Sequence, residues 1–123
     1  VTDHEGMTDV LTGLERFIGT AHADTWNTVA ATEWIDGGDG DDIFTASAGS
    51  DTLGGGTGVD SITYSGLGSA VQVNLATGAA SGGGIGTQTL SGMENVTGTD
   101  HADTLTGSTS GNVIDGGSGN DSL

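Results

Sequence analysis

Apolar residues recur along the chain one at a time, every ninth position, in polar and glycine-rich surroundings. From Gly19 to Thr63 the sequence divides into five blocks: GTAHADTWN, TVAATEWID, GGDGDDIFT, ASAGSDTLG and GGTGVDSIT. The eighth residue of each is apolar (Trp26, Ile35, Phe44, Leu53, Ile62), and the sixth is acidic (Asp24, Glu33, Asp42, Asp51, Asp60). The same register returns at Gly98 in GTDHADTLT, GSTSGNVID and GGSGNDSL, the last one residue short of nine. There the sixth positions are Asp103, Asn112 and Asp121, and the eighth are Leu105, Ile114 and Leu123.

Nine residues are too few for a helix with a core face, and glycine disfavours helix further. The period instead predicts a six-residue loop followed by a three-residue strand. Alternation along the strand turns the eighth side chain inward and its two neighbours outward. So short a strand needs stacking. Two blocks make an eighteen-residue coil with a strand on each side, and successive coils stack as parallel strands about 4.8 Å apart. One inward ladder then holds Trp26, Phe44 and Ile62, and the other Ile35 and Leu53.

Between the two sets of blocks, Val71, Val73 and Leu75 alternate with polar residues and predict a strand with one apolar face, closed by a turn at Thr77-Gly78. Leu90, Met93 and Val96 are expected on further coils of the same solenoid; a separate hairpin packed against it is the alternative. LTGLERFIGTAHADT from Leu11 matches LSGMENVTGTDHADT from Leu90 without a gap, 79 residues on. A unit of strand-like sequence plus repeats has been duplicated, and the chain is expected to be a piece of something longer. The expected division is 1–18, the end of a preceding spacer; 19–63, a first repeat block; 64–97, a β-rich spacer; and 98–123, a second repeat block. Leu11, Leu14 and Phe17 match the spacer's end, with a short helix over Thr8–Phe17 as the alternative.

Composition narrows what such a fold does. Seventeen acids face a single basic residue, Arg16, and the formal net charge is −16 over 123 residues. No basic surface for nucleic acid can be built, and an anionic membrane would repel the chain. Cysteine is absent, so neither a disulfide nor a thiolate metal site holds the fold. No apolar run is long enough for a transmembrane helix. Each buried eighth residue contributes roughly 1.5–3 kcal/mol. Ordering a residue's backbone costs about 1–2 kcal/mol, so nine of them outweigh one buried side chain, and the acidic loops repel one another. A cation resolves both problems. Calcium takes six to eight oxygens from carboxylates and backbone carbonyls, and glycine-rich loops can supply the carbonyls. The eighteen-residue coil stacks Asp24, Asp42 and Asp60 along one edge and Glu33 and Asp51 along the other. Zinc and magnesium fit such loops poorly.

The blocks resemble the RTX (repeats-in-toxin) family, whose calcium-binding nonapeptide has the pattern G-G-x-G-x-D-x-U-x. GGDGDDIFT at Gly37, GGTGVDSIT at Gly55 and GGSGNDSL at Gly116 match it residue by residue; the other blocks keep the sixth and eighth residues but lose glycines. The resemblance implies an all-β parallel β-roll or β-helix solenoid with calcium between coils. It implies secretion, mostly through type I systems, and folding outside the cell, as a module of toxins, adhesins or enzymes. The expected metal residues are Asp24, Gly37, Asp39, Asp42, Asp51, Gly55, Thr57, Asp60, Asp103, Gly116, Ser118 and Asp121. Expected partners are calcium ions and neighbouring domains of a larger protein. Glycan or surface binding by an adhesin or polysaccharide enzyme is the alternative function, for which an outward Trp34 or Tyr64 could serve.

Catalysis is not expected. The carboxylates recur periodically, as a structural metal ladder requires, whereas catalytic pairs are singular. Arg16 has no basic companion for an anionic transition state. His22 and His101, at fourth positions, read as exposed loop residues.

Overall fold

The computed structural model describes residues 15–123, and every regular element among them is a β-strand. A first sheet contains β1 (Glu15–Ile18), β3 (Glu33–Asp39), β5 (Thr52–Thr57), β7 (Val71–Asn74), β8 (Ala79–Gly82), β9 (Ile85–Ser91) and β11 (Thr104–Thr106). Its strand order is β1-β3-β5-β9-β8-β7-β11. A second sheet contains β2 (Thr25–Asn27), β4 (Ile43–Thr45), β6 (Ser61–Thr63), β10 (Asn95–Thr97) and β12 (Val113–Asp115), in the order β12-β10-β6-β4-β2. Pairing is parallel throughout except where β8 meets β7 and β9. The protein is thus all-β with mainly parallel sheets, an arrangement consistent with a β-roll or solenoid.

The nine-residue period explains this alternation of sheets. Consecutive blocks place their strands in opposite sheets, and alternate blocks pair in register: Trp26 with Phe44, Phe44 with Ile62, Ile35 with Leu53. The eighth-position residues of both sheets meet in one core, where Phe44 and Leu53 are 0% exposed. The ladder of the second sheet continues through Val96 to Ile114, and that of the first sheet runs from Phe17 through Ile35 and Leu53 to Leu90.

Two features differ from the simplest reading of the blocks. Strands of the first sheet outrun three residues, because Gly38 and Asp39 continue the pairing to Gly56 and Thr57. The loop on that side is correspondingly shorter. Within 64–97, the chain also doubles back. β7 pairs with β11, β9 with β5, and β8 runs antiparallel between β7 and β9, so a three-stranded meander lies inside the first sheet. Gly82, Gly83 and Gly84 all have positive φ and make the tight β8–β9 turn. Val71, Val73, Ala80, Ile85 and Leu90 carry the core through it. Phe17 lies in β1, a strand rather than the alternative helix; Leu11 and Leu14 fall outside the described residues.

Candidate metal centre

The sixth-position acids sit where each loop passes into its strand, and most are buried: Asp24, Glu33, Asp42, Asp51, Asp60 and Asp103. Acids are almost never buried without a partner, so each oxygen's partner matters.

One oxygen of each acid performs the same task along the stack. Asp42 Oδ1 accepts the Asp24 N–H at 2.7 Å, Asp60 Oδ1 the Asp42 N–H at 2.8 Å, Asp51 Oδ1 the Glu33 N–H at 3.1 Å, and Asp121 Oδ1 the Asp103 N–H at 2.9 Å. The acid of one coil therefore ties the backbone of the preceding one, with an eighteen-residue separation in every case. Where the spacer interrupts the count, Asp103 Oδ1 accepts the Val71 N–H at 2.8 Å, and Glu94 Oε2 accepts the Asp60 N–H at 2.9 Å.

The second oxygen separates the acids. Asp42 Oδ2 and Asp60 Oδ2 are buried and have no hydrogen-bond partner. Both residues are 0% exposed. A Cβ added to Gly37 would strike Asp42 Oδ2 and the Gly55 carbonyl oxygen; one added to Gly55 would strike Asp60 Oδ2 and the Gly92 carbonyl oxygen. Bare carboxylate and carbonyl oxygens therefore converge on a space that only glycine leaves open. Burial pushes the Asp42 carboxyl up to about 6, with the charges of Asp60, Asp24 and Asp41 adding to the rise and the Asp24 N–H opposing it. Asp60 is raised by the same first cause. At Asp24, Asp103 and Asp51 the second oxygen is occupied. Asp24 Oδ2 accepts from Thr20, Asp103 Oδ2 accepts from Thr99, and Asp51 Oδ2 accepts from Gln88 Nε2 at 2.9 Å.

Of the remaining residues singled out by sequence, Asp39 is exposed and accepts the Thr57 hydroxyl at 2.7 Å. Gly116 is buried beside Asp121, and Ser118 is exposed. His22 and His101 are exposed. Trp34 is half-buried on the outward face, with the Arg16 guanidinium 4.2 Å from its ring centroid. Tyr64 is buried and donates its hydroxyl to Gln88 Oε1 at 3.1 Å, so it belongs to the core.

Two functional residues escaped the sequence reading. Glu94 had a signal: TLSGMENVT continues the register one block upstream of Gly98, with glycine fourth, acid sixth and Val96 eighth. Gln88, which donates to Asp51 Oδ2, had none, because it lies outside the repeats and reaches Asp51 only once β9 pairs with β5. No three His, Asp or Glu side chains among the described residues converge on one point. A cation between these loops would draw most of its ligands from carbonyls, which is how calcium differs from zinc.

Loops that recur every nine residues, most with a sixth-position acid and several with glycine carbonyls facing the next loop, define a β-strand repeat protein. The chain belongs to the RTX calcium-binding nonapeptide repeat family, whose model matches four copies over residues 29–62 and 97–123. Membership makes it a calcium-binding type of structural repeat. No curated protein matches the chain. Among the described residues, no helix is long and apolar enough to cross a membrane.

Proposed function

We propose that this chain is a calcium-dependent β-roll module of a larger extracellular protein, which stays expanded where calcium is scarce and folds when secretion exposes it to calcium. The observation that carries the reading is the pair of buried, donorless oxygens, Asp42 Oδ2 and Asp60 Oδ2, each set against glycine carbonyl oxygens. In a chain of net charge −16 such groups oppose folding until a cation neutralises them. Asp42 and Asp60, with Gly37, Asp39, Gly55 and Thr57 of the same loops, would hold the metal, and Gly116, Ser118 and Asp121 form the matching loop of the second block. Asp24, Asp51 and Asp103 complete the candidates read from the sequence, but protein donors already occupy their second oxygens. Calcium supplies charge neutralisation and a bridge between coils; the chain supplies spacing, through glycine, and register, through the acid-to-amide bonds. Metal bound only by the native state stabilises it by mass action. Affinity near 10⁻⁴–10⁻³ M, roughly that of extracellular modules, suits a switch thrown by export.

The family's occurrence in secreted bacterial proteins supports this location. Small-angle scattering with and without chelator tests the reading: a compact particle in calcium and an expanded chain without it are expected, and equal compactness would refute it.

A further inference from the structure

The calcium reading does not explain the second position of the repeat, yet the structure divides the loops by that position. In the loops of Asp42, Asp60 and Asp121 it is Gly38, Gly56 and Gly117, with φ of 103°, 110° and 80°. The fourth position of the same loops is also left-handed: Gly40, Gly58 and Gly119 have φ of 114°, 132° and 133°. No non-glycine residue among the described ones has positive φ. A loop with a side chain at its second position therefore takes another path: in the Thr20, Val29, Thr99 and Ser108 loops the amide turns toward the sixth residue, whereas Ser47 gives its N–H to Thr28 Oγ1 and Asp51 is held by Gln88 instead.

The hydrogen bonds follow that division. Thr20 gives Asp24 Oδ2 its N–H at 2.7 Å and its hydroxyl at 3.0 Å. Thr99 gives Asp103 its N–H at Oδ2 and places its hydroxyl 3.0 Å from Oδ1 and 3.1 Å from Oδ2. Ser108 gives Asn112 Oδ1 its N–H at 2.7 Å, and Val29 gives Glu33 Oε2 its N–H at 3.2 Å. The threonine hydroxyl also accepts the N–H of the fourth residue, from His22 at 3.2 Å and from His101 at 3.0 Å. No hydrogen bond from Gly38 or Gly56 reaches Asp42 Oδ2 or Asp60 Oδ2, which remain bare.

We propose that the repeat contains two kinds of loop: open loops, those of Asp42, Asp60 and Asp121, which take calcium, and closed loops, those of Asp24 and Asp103, in which a second-position threonine occupies the acid and no calcium binds. The inference rests on the calcium reading of the open loops and adds which loops lie outside it. Asn112 supports it independently. It occupies the acid's place in the Ser108 loop, accepts the same N–H, and carries no charge, so a closed loop needs neither an anion nor a cation to hold its shape. Closed loops are the metal-free members of the stack, and a glycine or a threonine at the second position decides whether the acid of its block takes an ion.

Titration calorimetry with calcium chloride on the full chain and three variants tests this. Asp42→Asn is expected to lower the number of ions bound. Asp103→Asn keeps an oxygen for the Thr99 N–H but sets an NH₂ against the Val71 N–H; it is expected to cost stability yet leave the number of bound ions as in the unsubstituted chain. Thr99→Gly, which opens a closed loop, is expected to add one ion. Loss of an ion in Asp103→Asn would overturn the inference, as would an unchanged number in a Thr99→Gly variant whose circular dichroism shows it folded. Should Thr99→Gly not fold, Asp103→Asn decides alone. A chain that takes up no calcium, or loses none in Asp42→Asn, would instead refute the calcium reading and this inference with it.

Discussion

Asp42→Asn should change the sign of its effect with calcium. The substitution keeps the shape of the side chain and the oxygen that accepts the Asp24 N–H at 2.7 Å. It replaces the bare, buried Oδ2 with an NH₂ group facing the Gly55 carbonyl oxygen. Without calcium, the native residue buries an unpaired anion at neutral pH, whereas the amide can donate to the carbonyl. Removing an unsatisfied buried group is worth about 1–3 kcal/mol, with charged groups at the upper end. The variant should therefore be more stable than the native chain by roughly that amount in chelator. With calcium the order reverses, because a carboxylate ligand is gone and an NH₂ repels the ion. A loss of about tenfold in affinity corresponds to about 1.4 kcal/mol. Urea unfolding followed by circular dichroism checks both arms, with an osmolyte added in chelator to populate the folded state. Curves that shift the same way in both conditions would refute the reasoning. Destabilisation in both would mean that Asp42 is only an architectural acceptor, and stabilisation in both that no cation uses it.

Other outcomes follow from the same geometry. In chelator, acid should favour folding: burial raises the Asp42 carboxyl from 3.8 to about 6 and raises Asp51 and Asp60, so the folded state binds more protons. That stabilisation is complete below the unfolded value and is lost as pH rises through about 6, which compactness measured across pH 4–8 would reveal. In calcium the slope should reverse, since protons compete with metal for the same oxygens. Phe44→Ala, at the centre of the ladder between Trp26 and Ile62, should cost about 3–5 kcal/mol in saturating calcium and leave the number of bound ions unchanged. Gln88→Ala should cost about 1–3 kcal/mol for each group it leaves unpaired, the Tyr64 hydroxyl and Asp51 Oδ2, measured by thermal unfolding.

The two apolar ladders were legible because one physical rule, a single inward residue per block, repeats without exception from Trp26 to Ile62. The meander was not. Val71, Val73 and Leu75 announce a strand, but nothing in Ala79–Gly82 states that it runs backwards; that direction comes from the glycine turn and from pairing with strands on either side. The acids were legible as a periodic column but not as individuals. Whether a carboxylate is bare or held depends on its neighbour four residues back or, for Asp51, on Gln88 from a distant strand, and Thr20 and Gly38 look equally like loop residues until the sign of φ is known. Glu94 shows the opposite case: its register was present in TLSGMENVT, hidden because the surrounding glycines are mostly missing.

The meander enlarges one sheet only. Between β5 and β11 the first sheet contains β9, β8 and β7, whereas in the second sheet β6 lies directly against β10. A regular alternation would place one strand there, so the insert adds two, and at about 4.8 Å per strand one wall of the molecule grows by about 10 Å where the other does not. An insert that lengthens one wall alone biases the column to curve toward its shorter wall at the spacer. It also exchanges the walls: β1 lies in the first sheet, whereas β10, which follows its counterpart by the 79-residue offset, lies in the second. A chain made of many such units would describe an arc whose curvature is set by how often the spacer recurs, and each bend would present its meander on the outer side.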